Sequence, residues 1–376
     1  MDGVKEGKEK TGKEQDKYKF WFASMLKLSP EEKLHLKNEI GQPEEIYRIS
    51  EYELEKIHTI PQKTKNKLLE LKQDRKWEQT WESFRNGNIR LICMEDKEYP
   101  DKLKKVYAPP YGLFVKGKLP KEEKIVAIVG ARGCSAYGEA MAKSIAGELA
   151  KKKIGVISGL ALGIDAAAHA GALEGNGDTY GIMGCGVDVC YPAVNRNLYE
   201  QMKAKGGIIS EFPCGCQPLK HLFPLRNRII SGLADAVIVV EARKRSGSLI
   251  TADYALEQGK LVYAVPGRIS DSLSYGTNWL LSQGAAPFYS VTEFLKDMGV
   301  ELDKKKQQKK IMEILLEKNE RLVYSVLDFT PKHLETIIEA TGLEFLAALT
   351  AVNGLEINGY VKEVYRNHYV KTAYNN

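Results

Sequence analysis

The stretch IVAIVGARGCSAYG (125–138) decides the fold, because an apolar run passes through a glycine-rich turn into a helical pattern. Five further short apolar runs follow, separated by helical stretches. They are IGVISG (154–159), TYGIMG (179–184), GIIS (207–210), AVIVVEA (236–242) and LVYAVPG (261–267). Continuous apolar strands that alternate with helices are typical of a parallel sheet covered on both faces. The sequence therefore predicts an α/β fold, a Rossmann-like doubly wound and mostly parallel sheet over residues 91–298.

The region before the sheet has a helical pattern, with Leu and Ile at spacings of three and four over residues 18–90. It is interpreted as a SAM-like or helix-hairpin-helix-like domain. In the hairpin of this domain, Thr59 and Pro61 stand where glycines are usual. Because proline has no backbone N–H, the phosphate-holding turn is damaged. Residues 1–17 alternate Lys with Glu or Asp and are predicted to be a disordered tail.

The region after the sheet begins with a polar charged linker, predicted at residues 299–309. Residues 310–376 follow as a predicted winged helix, with helices near 310–317, 331–340 and 343–353 and a two-stranded ribbon that turns at Arg366-Asn367. The presumed recognition helix, GLEFLAALTAVNG (342–354), contains no Lys or Arg. Reading a DNA groove needs donors and cations, so we favour a packing or protein-contact role over weak duplex binding.

Composition sets broad limits on the function. The net charge of +6 permits a polyanionic partner without demanding one. No apolar run reaches about 18 residues and the N-terminus is charged, so we expect a cytoplasmic protein without a membrane span or secretory signal. The six cysteines are expected to be reduced and metal-free, because Cys214 and Cys216 have only one residue between them and no second pair follows.

The nonapeptide KHLFPLRNR (220–228) combines cations with an aromatic residue. Lys220, Arg226 and Arg228 surround Phe223 just before a buried helical pattern, and Asn227 lies among them. Cations that hold phosphates beside a ring that stacks on a base are the two parts of a single-stranded nucleic-acid site. Taken alone, the stretch fits a solvated loop that opens a helix about as well.

Two glycine-containing loops also suggest anion binding. Gly130 and Arg132 follow the first predicted strand, in a loop that matches neither a Walker motif nor a dinucleotide fingerprint. The next strand ends in Ser158-Gly159, where a ribose-binding acid would be expected. The alternative is a surface arginine on a tight turn.

The stretch RKRSGSLITADYAL (243–256) provides a second anion nest at a helix start. Its candidate binding residues are Arg243, Ser246, Gly247, Ser248 and Thr251. In a parallel sheet, all loops that follow strands lie at one edge, so these segments are predicted to form one basic crevice that contains Phe223.

Other polar residues are assigned structural roles. Asp165 and His169 lie four residues apart on one helix face and are predicted to make structural hydrogen bonds, because no third partner suggests a metal or catalytic site. Asp188 and Asn195 are expected to tie their own loop together. Tyr191 is expected to pack under that loop rather than to stack on a ligand.

Seven ordered blocks together resemble the DNA-processing protein family DprA/Smf over about residues 91–290. They are GAR, SGLALGIDAAAH, GCGVDVCYPAVN, SEFP, FPLRNRIISGL, EARKRSGSLITA and VPG. The resemblance implies a non-catalytic protein without a cofactor. It implies coating and protection of incoming single-stranded DNA in natural transformation, and loading of the RecA recombinase.

The resemblance also implies particular residues and an assembly. The motif positions of the family correspond to Arg132, Lys220, Phe223, Arg226, Asn227 and Arg228 of this chain. It further implies a homodimer through the Rossmann-like domain, for which residues 278–288 are a candidate surface. The glycine-poor hairpin and the uncharged recognition helix depart from a duplex-binding pattern and leave the central interpretation intact.

Two alternatives remain open. One is a nucleotide-processing enzyme of the lysine-decarboxylase-like or phosphoribohydrolase group, whose Gly-Gly-x-Gly-Thr-x-x-Glu loop supplies a catalytic carboxylate. The corresponding stretch here is SGSLITAD, with Thr251 where the acid would fall, which argues against hydrolysis. The other is a regulator that binds duplex DNA through the winged helix, with cations at Lys362, Arg366 and Lys371 of the ribbon.

Overall fold

The structure is a computed structural model that describes residues 15–300, 317–328 and 330–371. The chain divides into two compact units between Asp297 and Met298. The tail predicted at 1–17 lies outside the described residues except for its last three, which already belong to a helix over 15–23. Most of the predicted linker 299–309 and the predicted helix 310–317 also lie outside them.

The larger unit contains a mixed sheet that confirms the predicted α/β class. Its strand order is β1-β2-β6-β5-β4-β3-β7-β8-β9. The seven strands that follow one another in this order from β6 to β9, including β5, β4 and β3, are parallel. β2 and β1 extend this sheet in antiparallel pairing. The strands are β1 Arg90–Cys93, β2 Gly112–Gly117, β3 Ile125–Val129, β4 Gly155–Ser158, β5 Thr179–Ile182, β6 Gly206–Ser210, β7 Ala236–Val239, β8 Leu261–Ala264 and β9 Ala286–Pro287.

The strand order creates a switch point between β3 and β7. From β3 the chain adds β4, β5 and β6 on one side, and it then returns to place β7 on the other side of β3. β3 and β7 pair from Val126 with Ala236 to Val129 with Val239. Because the connections leave these two strands in opposite directions, a crevice opens at their carboxyl ends, where doubly wound sheets bind ligands.

Helices cover both faces of the sheet and form the N-terminal region. α8 begins after Ser135 and α12 after Ser246, and each serine side chain caps its helix by accepting a backbone N–H. The helices of this unit are α1 (15–23), α2 Pro30–Ile40, α3 Pro43–Arg48, α4 Glu51–Glu55, α5 Gln62–Gln73, α6 Lys76–Asn86, α7 Asp101–Lys104, α8 Ala136–Lys151, α9 Ile164–Glu174, α10 Arg196–Ala204, α11 Leu222–Leu233, α12 Gly247–Glu257, α13 Tyr275–Ser282 and α14 Val291–Asp297.

The N-terminal helices share a hydrophobic core with the sheet. Buried Phe20 and Leu36 belong to the same cluster as Phe114 of β2 and Ile208 of β6. The rings of Phe20 and Phe114 meet edge to face, with their centroids 5.9 Å apart. The helices therefore cover one end of the sheet, and the independence of residues 18–90 as a domain stays a prediction.

The described residues of the smaller unit form three helices and a small antiparallel sheet, in line with the predicted winged helix. Its strand order is β10-β12-β11, and Asn367 has a φ of 55° in the turn between β11 and β12, where the sequence predicts it. The presumed recognition helix is α17. Helix α15 was not predicted. The elements are α15 Lys318–Val326, β10 Lys332–His333, α16 Leu334–Thr341, α17 Phe345–Ile357, β11 Val361–Tyr365 and β12 His368–Lys371.

Within the described ranges, no single helix has the length and apolar character needed to cross a membrane, although α16 and α17, bent by 111° at their junction, meet that criterion as a pair. All six cysteines are free. The described part of the chain brings no three His, Cys, Asp or Glu side chains together as a set of metal ligands.

Candidate nucleic-acid interface

A cavity of about 820 Å³ opens at the switch point, between the loops that follow β3 and β7 and the start of α11. We call it the basic crevice. Eleven of the fourteen candidate binding residues line it: Gly130, Arg132, Lys220, Phe223, Arg226, Asn227, Arg243, Ser246, Gly247, Ser248 and Thr251. Segments more than a hundred residues apart in the chain therefore meet at one edge of the sheet.

One wall of the crevice is a cation–aromatic stack. The guanidinium carbon of Arg132 lies 5.3 Å from the centre of the Phe223 ring. The ring of Tyr191 lies 5.7 Å from that of Phe223, tilted by 38°. Tyr191 is 40% exposed, so the expectation that it packs under its loop is wrong. Its hydroxyphenyl ring instead extends the aromatic wall of the crevice.

Glycine at position 184 makes room for this wall. A Cβ atom on Gly184 would lie 2.7 Å from the Phe223 ring. Any larger residue at the end of β5 would therefore push the ring out of place. The Phe223 ring thus packs against the backbone of Gly184 on one side, and its other neighbours include Arg132 and Tyr191.

Arg226 forms the floor of the crevice and is itself buried. Its Nη1 donates to the carbonyl oxygens of Gly159, at 2.9 Å, and Ile182, and its Nε donates to Asn227 Oδ1 at 3.1 Å. Burial lowers the pKa of Arg226 to about 10, while the Asp165 carboxylate opposes that shift. The guanidinium group of Arg226 is thus a fixed positive charge at the floor of the crevice.

Three candidate residues do not line the crevice: Ser158, Gly159 and Arg228. Ser158 is fully buried, and its hydroxyl donates to the Ile128 carbonyl at 2.6 Å. Gly159 lies beneath the Arg226 side chain and presents its carbonyl to it. Their predicted role in contacting DNA is therefore replaced by a structural one.

Arg228 points into the protein interior. Its Nη2 lies 2.8 Å from Glu211 Oε1, with 5% and 9% of the two side chains exposed, and its Nε donates to the Ala108 carbonyl at 3.0 Å. The reason is helical periodicity, because α11 begins at Leu222 and two residues along a helix turn by about 200°. Arg226 and Arg228 consequently face in opposite directions.

The start of α12 provides the polar side of the crevice. Ser246 Oγ lies 2.7 Å from Ser248 Oγ, and Asn227 Nδ2 donates to the Gly247 carbonyl at 3.2 Å. A Cβ atom on Gly247 would meet nothing within 4 Å, so a ligand has space at this backbone. Arg243 and Arg245 precede this turn, are both exposed and both line the crevice.

The N-terminus of α8 is occupied by a carboxylate of the chain itself. Glu241, which is buried, accepts hydrogen bonds from the backbone N–H of Ser135 at 2.9 Å and from its hydroxyl at 2.5 Å. A Cβ atom on Gly138 would collide with this carboxylate. The position where a dinucleotide's pyrophosphate would meet a helix N-terminus is therefore filled. Arg132, and not this helix end, is the cationic group available in that loop.

The structural roles predicted for Asp165 and His169 are confirmed. Asp165 accepts the backbone N–H of Gly159 at 3.0 Å, and His169 Nδ1 lies 2.7 Å from Thr179 Oγ1. Burial raises the pKa of Asp165, against the attraction of Arg226, and burial lowers the pKa of His169 to about 3. Among the described residues that line the crevice, Asp165 alone has a carboxyl group.

Asp188 and Asn195 bind other loops and not their own, contrary to the sequence-based expectation. Both carboxylate oxygens of Asp188 accept the N–H of Gly215 at 2.9 Å. Asn195 Nδ2 donates to the Leu160 carbonyl at 3.0 Å. The loop after β5, which carries Tyr191, is thus fastened to its neighbours on both sides.

Comparison with known proteins agrees with this architecture. The family model described as DNA recombination-mediator protein A matches residues 90–299. The DNA processing protein DprA of Bacillus subtilis is 41% identical over 219 residues, which cover 57% of this chain and 73% of that protein. The structure of DNA processing protein A from Streptococcus pneumoniae matches with a TM-score of 0.65 and 32% identity, over 76% of this chain and 98% of that one.

A second solved structure, of DNA processing protein A from Helicobacter pylori, matches with a TM-score of 0.52 and 30% identity. The match covers 56% of this chain and 95% of that one. For the Helicobacter protein, a single-stranded DNA binding mode is described. The family model alone covers more than half of the present chain. The chain belongs to the DNA recombination-mediator protein A family, DprA/Smf.

Proposed function

We propose that this chain binds single-stranded DNA in the basic crevice as a non-catalytic recombination mediator. The observation that carries the proposal is the Arg132 guanidinium stacked on the Phe223 ring inside a cavity lined by further cations. A cationic groove beside an exposed aromatic face is the arrangement that binds unpaired strands with little sequence preference.

The cations of the crevice are available to phosphates. Arg132, Lys220, Arg243 and Arg245 are exposed, and no described carboxylate pairs with any of them. If these four groups neutralise about four phosphates, the logarithm of the binding constant should fall with the logarithm of salt concentration at a slope of about −3.

The aromatic wall supplies the second contribution. Stacking of a base on Phe223 or Tyr191 is worth roughly 1–3 kcal/mol and is tolerant of base identity, because every base has a π-face. Weak base preference suits a protein that coats DNA of any sequence. A single-stranded DNA binding mode is described for the Helicobacter pylori relative, which supports single-stranded DNA as the ligand proposed for this chain.

The contents of the crevice argue against the enzyme alternative. Its carboxyl group, on Asp165, is buried and already accepts a hydrogen bond from the backbone. Thr251 stands where the phosphoribohydrolase group would have its acid. A general base must reach a proton of the substrate, and only 7% of Asp165 is exposed.

The biological setting follows from the family. We propose that the bound strand is DNA taken up in natural transformation, that binding protects it in the cytoplasm, and that the RecA recombinase is then loaded on it. A homodimer through the sheet-containing unit, with residues 278–288 as a candidate surface, completes the proposal. Sedimentation of the whole chain at several concentrations tests the dimer, and a RecA strand-exchange assay on coated DNA tests the loading.

Titration of labelled oligo-dT and a duplex of equal length tests the central proposal. We expect preference for the single strand, and at least about tenfold weaker binding by an Arg132→Ala/Lys220→Ala variant. The control is Lys151→Ala/Lys152→Ala, at the far end of α8, about 24 Å along the helix from the crevice, which should bind normally.

Two outcomes would overturn the proposal. A duplex preference that is insensitive to the crevice substitutions would support binding by the winged helix instead. Turnover of a nucleotide by the unaltered chain, lost with the crevice substitutions, would support the phosphoribohydrolase-like alternative.

A further inference from the structure

A second cation–aromatic pair lies beyond the basic crevice and is not part of its lining. Lys244 Nζ is 5.5 Å from the centre of the Tyr275 ring, and Tyr275 is 49% exposed. The geometry resembles that of Arg132 over Phe223 in the crevice, where the corresponding distance is 5.3 Å. The two pairs share the same chemistry, a cation placed over an aromatic ring.

Tyr275 is fixed to the loop that supplies the cations of the crevice. The backbone N–H of Gly276 donates to the Ala242 carbonyl at 2.7 Å, and the N–H of Ala242 donates to the Leu273 carbonyl at 2.7 Å. A Cβ atom on Gly276 would lie 2.8 Å from that same Ala242 oxygen. The ring is therefore anchored directly beside the backbone that leads into Arg243.

The strand order places Tyr191 and Tyr275 at the same edge of the sheet, with cations between them. The strands β5, β4, β3, β7 and β8 are consecutive neighbours. The loops and helix starts that follow them carry, in that order, Tyr191, Asp165, Arg132, Arg243 and Tyr275. Four strand spacings of about 4.8 Å separate β5 from β8, or roughly 19 Å. The cations thus lie between two aromatic positions at the same carboxyl edge.

We propose that Lys244 and Tyr275 form a second base-stacking platform for the single strand held in the basic crevice. This inference rests on the proposed function and extends it. A strand whose phosphates follow Arg132, Arg243 and Arg245 along the edge reaches Tyr275 with its next bases. The ligand class is any unpaired nucleobase, since stacking on tyrosine does not depend on base identity. Lys244 holds an adjacent phosphate.

Binding of oligo-dT of increasing length tests this platform, because only a strand that spans the crevice can reach it. For oligomers from about 4 to about 20 nucleotides, we expect Tyr275→Ala to bind the long ones about tenfold more weakly and the shortest ones normally. Tyr275→Phe keeps the ring and should retain binding at all lengths. The matched control is Tyr52→Ala, because Tyr52 of α4 is also exposed and has Lys56 Nζ 3.9 Å from its ring centre.

The salt dependence separates stacking from charge. Tyr275→Ala should leave the slope of log binding constant against log salt unchanged, whereas Lys244→Ala should make it shallower by about 0.7. A Tyr275→Ala variant that binds every length normally overturns the inference, as does one that loses affinity equally at every length.

Failure of the proposed function gives a different result. If Arg132→Ala/Lys220→Ala binds all lengths as tightly as the unaltered chain, the crevice is not the DNA site. If binding depends on those cations but not on Tyr275, only the second platform is overturned.

Discussion

A Cβ atom placed on Gly159 would lie 2.5 Å from a guanidinium nitrogen of Arg226. The carbonyl of the same glycine accepts a hydrogen bond from Arg226 Nη1 at 2.9 Å. Gly159, directly after β4, therefore affects the crevice indirectly. Because it has no side chain, the buried guanidinium of Arg226 has room to pack against it. This relationship explains why a glycine outside the crevice matters to its floor.

Replacing that glycine should disturb the crevice from below. We expect Gly159→Ala to displace Arg226 and to lower the free energy of unfolding by about 1–3 kcal/mol, as overpacked buried sites do. Urea unfolding measures the effect. The control is Gly133→Ala in the loop after β3, where a Cβ atom meets nothing within 4 Å and the change should stay within about 0.5 kcal/mol. Equal free energies of unfolding for the two variants would contradict the proposed packing of Arg226 against Gly159.

The Arg228–Glu211 pair should matter for stability and not for DNA contact. Arg228→Met leaves the Glu211 carboxylate buried without its partner, which typically costs about 3–5 kcal/mol. The double variant Arg228→Met/Glu211→Gln should recover part of that loss. Under conditions where the single variant remains folded, the salt slope of oligo-dT binding should equal that of the unaltered chain, and a shallower slope would place Arg228 on the DNA.

His169 should make the fold sensitive to mild acid. Burial lowers the pKa of His169 from 6.5 to about 3, and its Nε2 is buried with no hydrogen-bond partner among the described residues. The unfolded chain therefore takes up a proton between about pH 6.5 and pH 3 that the folded chain excludes. Stability from this group is complete above pH 6.5 and falls as the pH drops, by at most about 1.4 kcal/mol per pH unit.

A variant without a titrating ring isolates this effect. In His169→Asn the amide can still donate to Thr179 Oγ1, and the side chain takes up no proton in this range. We expect its free energy of unfolding to change less steeply between pH 6.5 and pH 4 than that of the unaltered chain. Parallel curves for the two proteins would show that His169 does not control the acid response.

The Phe223 ring should contribute to affinity without contributing to salt dependence. Phe223→Ala removes the stacking surface between Arg132 and Tyr191, so we expect binding of oligo-dT to weaken by roughly 1–3 kcal/mol. Phe223→Trp keeps an aromatic face and should retain most of the affinity. Fluorescence anisotropy at several salt concentrations gives both the affinity for oligo-dT and its salt dependence. A changed slope of log binding constant against log salt in Phe223→Ala would mean that the ring acts by positioning Arg132.

Much of the sheet and the crevice was predictable because both follow from topology. Six buried parallel strands have continuous apolar sequences, and residues that come directly after parallel strands must share one edge. Three strands gave no such signal. β1, with two buried residues, pairs antiparallel with β2 at one end of the sheet, and β9 is only two residues long. β2 has four buried residues in a row, but it lies outside the alternation of parallel strands and helices by which the others are found.

The errors at the site concern directions of side chains. Arg226 and Arg228 have the same residue type and nearly the same position, and only the start of α11 at Leu222 decides which of them faces the crevice. Tyr191 was missed for a related reason, since its exposure depends on how neighbouring loops hold the segment after β5. Contacts between distant loops leave no local pattern in the sequence.

The measurement that tests the central claim most directly is the salt slope of oligo-dT binding for the unaltered chain and for Arg132→Ala/Lys220→Ala. We expect a slope of about −3 for the unaltered chain, shallower by about 1.4 in the double variant, because two phosphate contacts are lost. Equal slopes for the two proteins, at equal stability, would contradict binding of the strand in the basic crevice.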